Sequence, residues 1–390
     1  MKKNTQRFSI TGNNQIASEK DYPIDFSHFN INGRVFGAQG ANETQDEATI
    51  FNVNLERTYG FIHPVRMAMP IILPALIKLN WQDYFAGAAM AGVTCVIGEH
   101  ARNNEPNLKI DNGKVTDFPL LKKALDCFNR YDRGYGQIVL QCNVDDDLMG
   151  VPKIAIEKYG AKAIEIKFGQ AAKGTQPVIQ VKDLETALVK QQQGNLLSPD
   201  PSDPSVQKAY HDGVCPNFYT YGRLPLWTEN SIMAHITKLR DMGAQNIYFK
   251  MAGYDRVDIE RVLRMACEAQ VDMVTFDGAG GGSGYSPSKM MNEWSLPTVC
   301  LEDVVVRICE QLKFEGFSLP AMVMTGVFSY LNKIAFGLKH FAALNRKFNM
   351  DLLNKSDLIP LTSEARSLMA NEWFAPSKNS LPISAGKGAK

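Results

Sequence analysis

From Ile62 onward, short apolar runs, each closed by glycine or a polar cluster, alternate with longer amphipathic segments. The runs are VRMAM (65–69), GVTCVIG (92–98), GQIVLQCN (136–143), KAIEIKFG (162–169), NIYFKMAG (246–253), DMVTFDGAGGG (272–282) and AMVMTGV (321–327). Continuous rather than alternating hydrophobicity is what strands covered on both faces require. In Asn230–Gly243, Ile232, Ile236, Leu239 and Met242 recur at helical spacing and Gly243 ends the helix. In Asp258–Ala269, Ile259, Val262, Leu263 and Ala266 repeat that spacing behind Asp258 as N-cap. This βαβ rhythm predicts an α/β protein, a parallel (β/α)8 TIM barrel with seven visible strands and an eighth in a poorly patterned stretch. A doubly wound open sheet is the rival.

The barrel is expected over residues 62–345, after a polar N-terminal arm (1–61) and before a C-terminal extension (346–390) whose end, after about Asn371, is small and polar. Leu196–Leu226 holds five prolines among aromatics and reads as an ordered flap. Composition narrows the classes. With 42 Lys+Arg against 41 Asp+Glu, the net charge of +1 gives no field for nucleic acid or an acidic membrane. The seven cysteines form no CxxC pair and sit mostly in apolar runs, which points to buried thiols in a reducing compartment. The basic start MKKNTQRFSITGNNQ lacks an apolar core, and Met67–Leu79 is short and holds Pro70 and Pro74. A soluble, cytoplasmic protein is therefore expected.

In a parallel barrel, chemistry gathers where the strands end. Those ends read Gly98-Glu99-His100, Gln141, Lys167-Phe168-Gly169-Gln170, Lys250, Asp277-Gly278 and Thr325-Gly326. Polar side chains closing otherwise apolar strands would meet at one mouth. The run Asp277–Gly284, DGAGGGSG, directly follows a strand, and so many glycines let backbone N–H groups approach a ligand. It ends in no Gly-Lys-Ser/Thr, so it is not a P-loop. Lys250 closes its strand without a nearby acid in sequence; it can serve an electron-rich cofactor atom or, desolvated, act as a nucleophilic amine. Glu99 and His100 are candidates for an acid/base pair. Six histidines without HxH or HExxH spacing argue against zinc, and Asp145-Asp146-Asp147 reads as a solvated turn, so no metal site is expected.

These residues resemble the FMN-binding synthase domain of the glutamate synthase family over about residues 60–345. The resemblance rests on IEIKFGQAAKG (164–174), the strand ending in Lys250, DGAGGGSGYSP (277–287), and the segment 67–101 with Gly98-Glu99 at its closing turn. It implies FMN at the barrel mouth, with Lys250 facing the flavin edge where reduction gathers negative charge. By the same resemblance Gly281 and Gly282 contact the ribityl and phosphate side, Thr325-Gly326 lies at the phosphate turn, and Gly337 matches a later glycine. Gly98, Gln141, Asp277 and Gly278 complete the expected cofactor set. Gln170, Lys173 and Glu99 match residues that hold the substrate carboxylates. The chain departs from the family in lacking the glutaminase segment and the cysteines of an iron–sulfur cluster, since no Cys follows Cys309. In TGVFSYLNKIAFGLK the phosphate turn is also altered.

The leading expectation is thus a stand-alone FMN oxidoreductase without an iron–sulfur cluster. It would move a hydride to or from a small amino acid, imine or 2-oxo acid, with Lys250, Glu99 and His100 catalytic. Expected partners are a carboxylate-bearing small molecule, an electron-transfer protein and a second copy of the chain, with no nucleic acid and no membrane. The alternatives are a non-redox lyase using Lys250 as a Schiff base, and a barrel that has lost catalysis and serves as a binding subunit.

Overall fold

Seven parallel strands form the central sheet of the protein, seen here in a computed structural model that describes residues 22–370 apart from 36–48, 77–80, 175–177, 193–195, 216, 222–226, 283–285, 287 and 326–330. They are β1 (Ile72–Leu76), β2 (Thr94–Ile97), β3 (Ile138–Cys142), β4 (Ala163–Lys167), β5 (Asn246–Ala252), β6 (Met273–Asp277) and β7 (Ala321–Thr325), each beside its successor in sequence. Between and after them run α1 (Trp81–Ala91), α2 (Pro119–Tyr131), α3 (Val151–Glu157), α4 (Glu229–Asp241), α5 (Arg256–Glu268), α6 (Thr298–Phe314) and α7 (Leu331–Leu344). A doubly wound sheet reverses its strand order at a switch point, and this order never reverses. Val96, Val139, Ala163, Tyr248 and Met273 share one apolar cluster with Ile72 and Ala75 of β1 and Ala321 and Val323 of β7. Both end strands therefore pack into the same interior: the sheet is a nearly closed barrel. Among the described residues it has seven strands, and the expected eighth is not one of them.

Both faces of each strand are covered, which explains the unbroken apolar runs. Ile164, Ile166, Phe249, Met251, Val274 and Phe276 pack outward into the large cluster that includes the helices. The inward residues alternate with these, as strand geometry dictates, and change character along the barrel. Ala163 gives way to Glu165 and Lys167, Tyr248 to Lys250, and Met273 to Thr275 and Asp277.

The N-terminal end is closed by an antiparallel hairpin, Arg57–Tyr59 with Val65–Met67. VRMAM is thus not a barrel strand. Its Val65 and Met67 join Tyr59 in the interior cluster, and β1 begins only at Ile72. Tyr59 Oη lies 2.9 Å from Thr94 Oγ1 and 3.0 Å from Tyr248 Oη. Val53 and Leu55 are buried in the main core as well, so the last part of the polar arm belongs to the barrel.

Helix boundaries follow their caps. Asp255, not Asp258, caps α5, accepting from the backbone N–H groups of Val257 and Asp258. Thr228 and Ser231 form a capping box on α4. Between β4 and α4, Val178–Val181, Leu196–Ser198 and Phe218–Tyr221 pair in a small antiparallel sheet. Val181, Ala187, Leu197, Val206, Cys215 and Phe218 form its own core, so the described part of the expected flap is ordered. Near the end of the described chain, Leu358–Pro360 pairs with Phe29–Ile31, anchored by the buried contact of Lys347 Nζ with Asp357 Oδ2 at 2.6 Å. All seven cysteines are free, five of them buried. Among the described residues no helix is long and apolar enough to cross a membrane.

Candidate functional site

Lys167 and Lys250 are register partners on adjacent strands, so two buried ammonium groups enter the mouth side by side. Like charges at that spacing repel strongly where water is scarce. The site resolves this by drawing them apart. Lys167 Nζ turns to Glu99 Oε1 at 2.5 Å and to Gln170 Oε1 at 2.9 Å. Lys250 Nζ turns the other way, to Asp277 Oδ1 at 3.2 Å.

Each carboxylate is held in turn. Asn143 Nδ2 donates to Glu99 Oε2 at 2.9 Å, and Thr325 Oγ1 donates to Asp277 Oδ1 at 2.5 Å. One layer deeper, Glu165 Oε1 accepts from Gln141 Nε2 at 2.5 Å and Glu165 Oε2 from Thr275 Oγ1 at 3.4 Å. Lys173 Nζ lies 4.0 Å from Glu99 Oε1. The mouth thus divides into Lys167, Lys173 and Glu99, with an excess of cation, and Lys250, Asp277 and Glu165, with an excess of carboxylate.

Burial and neighbours set the protonation states in opposite directions. Burial opposes the charge on Glu99, but Lys167 and Lys173 outweigh it and hold the carboxyl well below its usual range. Burial likewise opposes charge on Lys250, yet Asp277 and Glu165 raise its pKa above the ordinary lysine value. Glu165 is pushed up, chiefly by burial, against the pull of Lys250. Lys173 is pushed down to about 8 by burial and by Lys167.

His100 follows Glu99 but takes another part. It is buried at φ +59°, and its backbone N–H donates to Asp146 Oδ2 at 3.1 Å. Neither ring nitrogen has a hydrogen-bond partner among the described residues. Burial and Arg102 push its pKa down to about 3, so the imidazole is neutral at ordinary pH. Asp145-Asp146-Asp147 is the first turn of a short helix, Val144–Leu148, rather than a solvated turn. Asp146 is buried in an ion pair with Arg102. Among the described residues no three His, Cys, Asp or Glu side chains converge as metal ligands.

The glycine loop after β6 is packed tightly. A Cβ on Gly278 would lie 2.0 Å from Thr298 Oγ1 and 2.8 Å from Thr298 Cα, at the start of α6. A Cβ on Gly282 would lie 2.7 Å from Ala172 Cβ. Gly281 N donates back to Gly278 O at 3.0 Å, and Gly281 O accepts from Ala172 N at 2.8 Å. The glycine loop and the turn bearing Lys173 are therefore one assembly. That turn closes through the Gln170–Gly174 bridge, with Tyr254 Oη donating to Gln170 O at 3.3 Å. Gly98 follows β2, buried, beside Glu99. Gly337 lies inside α7 rather than in a turn, and Gly326 is outside the described residues.

The structure thus gathers Glu99, Gln141, Gln170, Lys173, Lys250, Asp277 and Thr325 at one mouth. Lys167, one of the strand ends read from the sequence, joins them, and the structure adds Glu165, Asn143 and Thr275, which that reading did not name. For Glu165 the signal lay inside KAIEIKFG, where it sits two residues before Lys167 on the same strand face. A surface cavity among His63, Arg66, Lys162 and Asn246 lies at the opposite, N-terminal end of the strands, away from these groups.

Comparison with known proteins bears on this assembly. Of the solved structures, the monotopic membrane protein (S)-mandelate dehydrogenase overlaps 92% of this chain and 97% of its own, at 12% identity and a TM-score of 0.38. That overlap is too loose to carry an argument about the site. No curated protein matches the chain. Residues 225–318 match the conserved region in glutamate synthase. They run from before α4, through β5 with Lys250 and β6 with the glycine loop, to the end of α6. Over that segment, 94 of the 390 residues, this part of the barrel is similar to the conserved region in glutamate synthase.

Proposed function

We propose that the protein is an FMN-dependent oxidoreductase acting by hydride transfer on a small carboxylate-bearing substrate: an amino acid, an imine or a 2-oxo acid. The observation that carries this reading is Lys250, a buried cation on the inner wall of a barrel mouth, inside the segment that matches glutamate synthase. The residues fit a flavin. Lys250 offers a fixed positive charge, and Asp277 Oδ2, buried without a hydrogen-bond partner among the described residues, offers an acceptor for an N–H donor. When bound, FMN would supply the site that takes up or gives up the hydride.

The remaining work falls to the chain. Lys167 and Lys173 outnumber Glu99 and favour a substrate carboxylate beside them. Glu99, kept ionised by those lysines, acts as a fixed negative charge that positions Lys167 rather than as a proton donor. His100, neutral and shielded, does not supply an imidazolium. Asp277, held by Thr325, and Glu165, held by Gln141 and Thr275, keep Lys250 charged.

A Schiff base on Lys250 is opposed by the same geometry, because its carboxylate partners stabilise the unreactive ammonium. The test is to add FMN to the purified protein, count the flavin bound, and repeat with Lys250→Met. We expect about one flavin per chain in both, with reduction of the bound flavin by a chemical donor slowed at least about tenfold in the variant. Failure of the parent protein to bind FMN, or equal reduction rates in the two, refutes the reading.

A further inference from the structure

The N-terminal end of the barrel holds a cavity of about 210 Å³ between the hairpin, the end of α2 and the starts of β3, β4 and β5. It lies at the opposite end of the strands from the mouth. Asn246 begins β5 and lines it, while Lys250 stands four residues on, about 13 Å along the strand. Pockets for cofactors and drug-sized molecules run to roughly 300–1,000 Å³, so this one suits something smaller than a flavin. Its inner wall is prearranged. Tyr248 Oη donates to Gln137 Oε1 at 2.5 Å, Gln137 Nε2 to Asn246 Oδ1 at 3.0 Å, and Asn246 Nδ2 to His63 O at 2.9 Å. Those bonds fix both amide groups and use one of the two Gln137 Nε2 hydrogens.

The rim carries charges of both signs. Arg66 of the hairpin is held through Nη2, by Tyr135 Oη at 2.6 Å and Glu56 Oε2 at 3.3 Å, and its guanidinium lies 4.5 Å over the Tyr135 ring. Lys162, just before β4, is exposed and lines the same cavity. Asp132, just after α2, also lines it, and one of its two oxygens accepts from Gly134 N at 2.8 Å. Arg130, in the last turn of α2, complements that helix's own carbonyl end. Arg66 and Lys162 have no such task, since neither stands on a helix.

We propose that this cavity binds a free α-amino acid as its zwitterion, a second small-molecule site that takes no part in the chemistry of the mouth. Arg66 and Lys162 take the carboxylate and Asp132 the ammonium, as charge-assisted hydrogen bonds. A polar side chain on the ligand meets the carboxamides of Gln137 and Asn129, which line the same space. A dianion is opposed by Asp132 and by Glu56 behind Arg66, and a simple cation by Arg66 and Lys162. A molecule carrying both charges is the one that leaves neither sign unpaired. No bond is made or broken here, and the site does not rest on the flavin reading.

The test titrates the intact chain by calorimetry with L-asparagine, whose side-chain amide matches the wall. Two analogues each lack one charge: succinamate has no ammonium, and asparagine methyl ester has no carboxylate. We expect saturable binding of about one asparagine per chain, with each analogue at least about tenfold weaker. Lys162→Met and Asp132→Asn, both at exposed positions, should each weaken asparagine by a similar factor. Asn at 132 keeps the oxygen that accepts from Gly134. On the parent chain, bound asparagine should slow hydrogen exchange over 61–67, 129–137 and 160–163, the segments that line the cavity. Absence of saturable binding, or equal affinity for the three compounds, overturns the inference. So does binding that survives both rim substitutions; its loss in Lys173→Met would then put the amino acid at the mouth. Whether the chain binds FMN bears on the mouth alone.

Discussion

A lysine buried beside another lysine costs stability for as long as both keep their protons. Below about pH 8, Lys173 is protonated in the folded and the unfolded chain, and that cost is present in full. Between about 8 and the ordinary value of 10.5 the folded chain releases its proton first, so it binds fewer protons than the unfolded chain. Stability from this group therefore rises with pH through that window. Lys173→Met should be more stable than the parent below about pH 8 by on the order of 3 kcal/mol, with the gap closing as pH approaches the unfolded lysine value. Urea unfolding at a series of pH values measures it, and a gap that does not change with pH refutes the assignment. Lys173 was legible as a site residue from its place in IEIKFGQAAKG, but its protonation was not. That depends on Lys167 and Glu99, which reach it from two different strand ends. His100 shows the converse: adjacency to Glu99 suggested an acid/base pair, whereas burial and Arg102 keep its ring neutral.

At the level of elements, the glycine loop shows how far a composition signal reaches. Its position after a strand was legible, and so was the need for residues without a Cβ. The sequence suggested that the missing atoms make room for a ligand. At Gly278 the room is taken by Thr298 of α6, and at Gly282 by Ala172. Such close approach is settled by which loops meet, and local pattern holds no record of that. Gly278→Ala should therefore be damaging without any ligand present. The new methyl meets Thr298 Cα at 2.8 Å, so backbone has to shift along with the Thr298 side chain. We expect a loss of roughly 2–3 kcal/mol, in line with overpacking a tight interior, read from the urea midpoint of the protein without FMN. An unchanged midpoint would mean that the loop yields freely and that its glycines serve ligand approach after all.

At the scale of the whole molecule, the barrel needs a floor, and the chain builds one from a segment that carries no periodic pattern. The barrel strands announce themselves as unbroken apolar runs because both of their faces are covered. A plug contributes a few side chains at irregular intervals, which is why residues up to 61 read as a polar arm. Tyr59 is the central case: its ring lies among Val96, Val139, Ala163 and Tyr248, and its hydroxyl meets Thr94 and Tyr248. Burial pushes its pKa up to about 12, against the opposing pull of those two hydroxyls, so the phenol stays neutral and bonded across the working pH range. It joins the start of β2 to the middle of β5, strands far apart in the chain. Its loss should therefore be felt by the whole barrel rather than by the hairpin alone. Tyr59→Ala should cost about 3–5 kcal/mol, the range for emptying an aromatic site in a core. Unfolding followed by far-ultraviolet circular dichroism and by tryptophan fluorescence should shift together to lower urea. If the hairpin were an appendage, the variant's main transition would stay where the parent's lies, and the barrel would have to be closed from below by some other group.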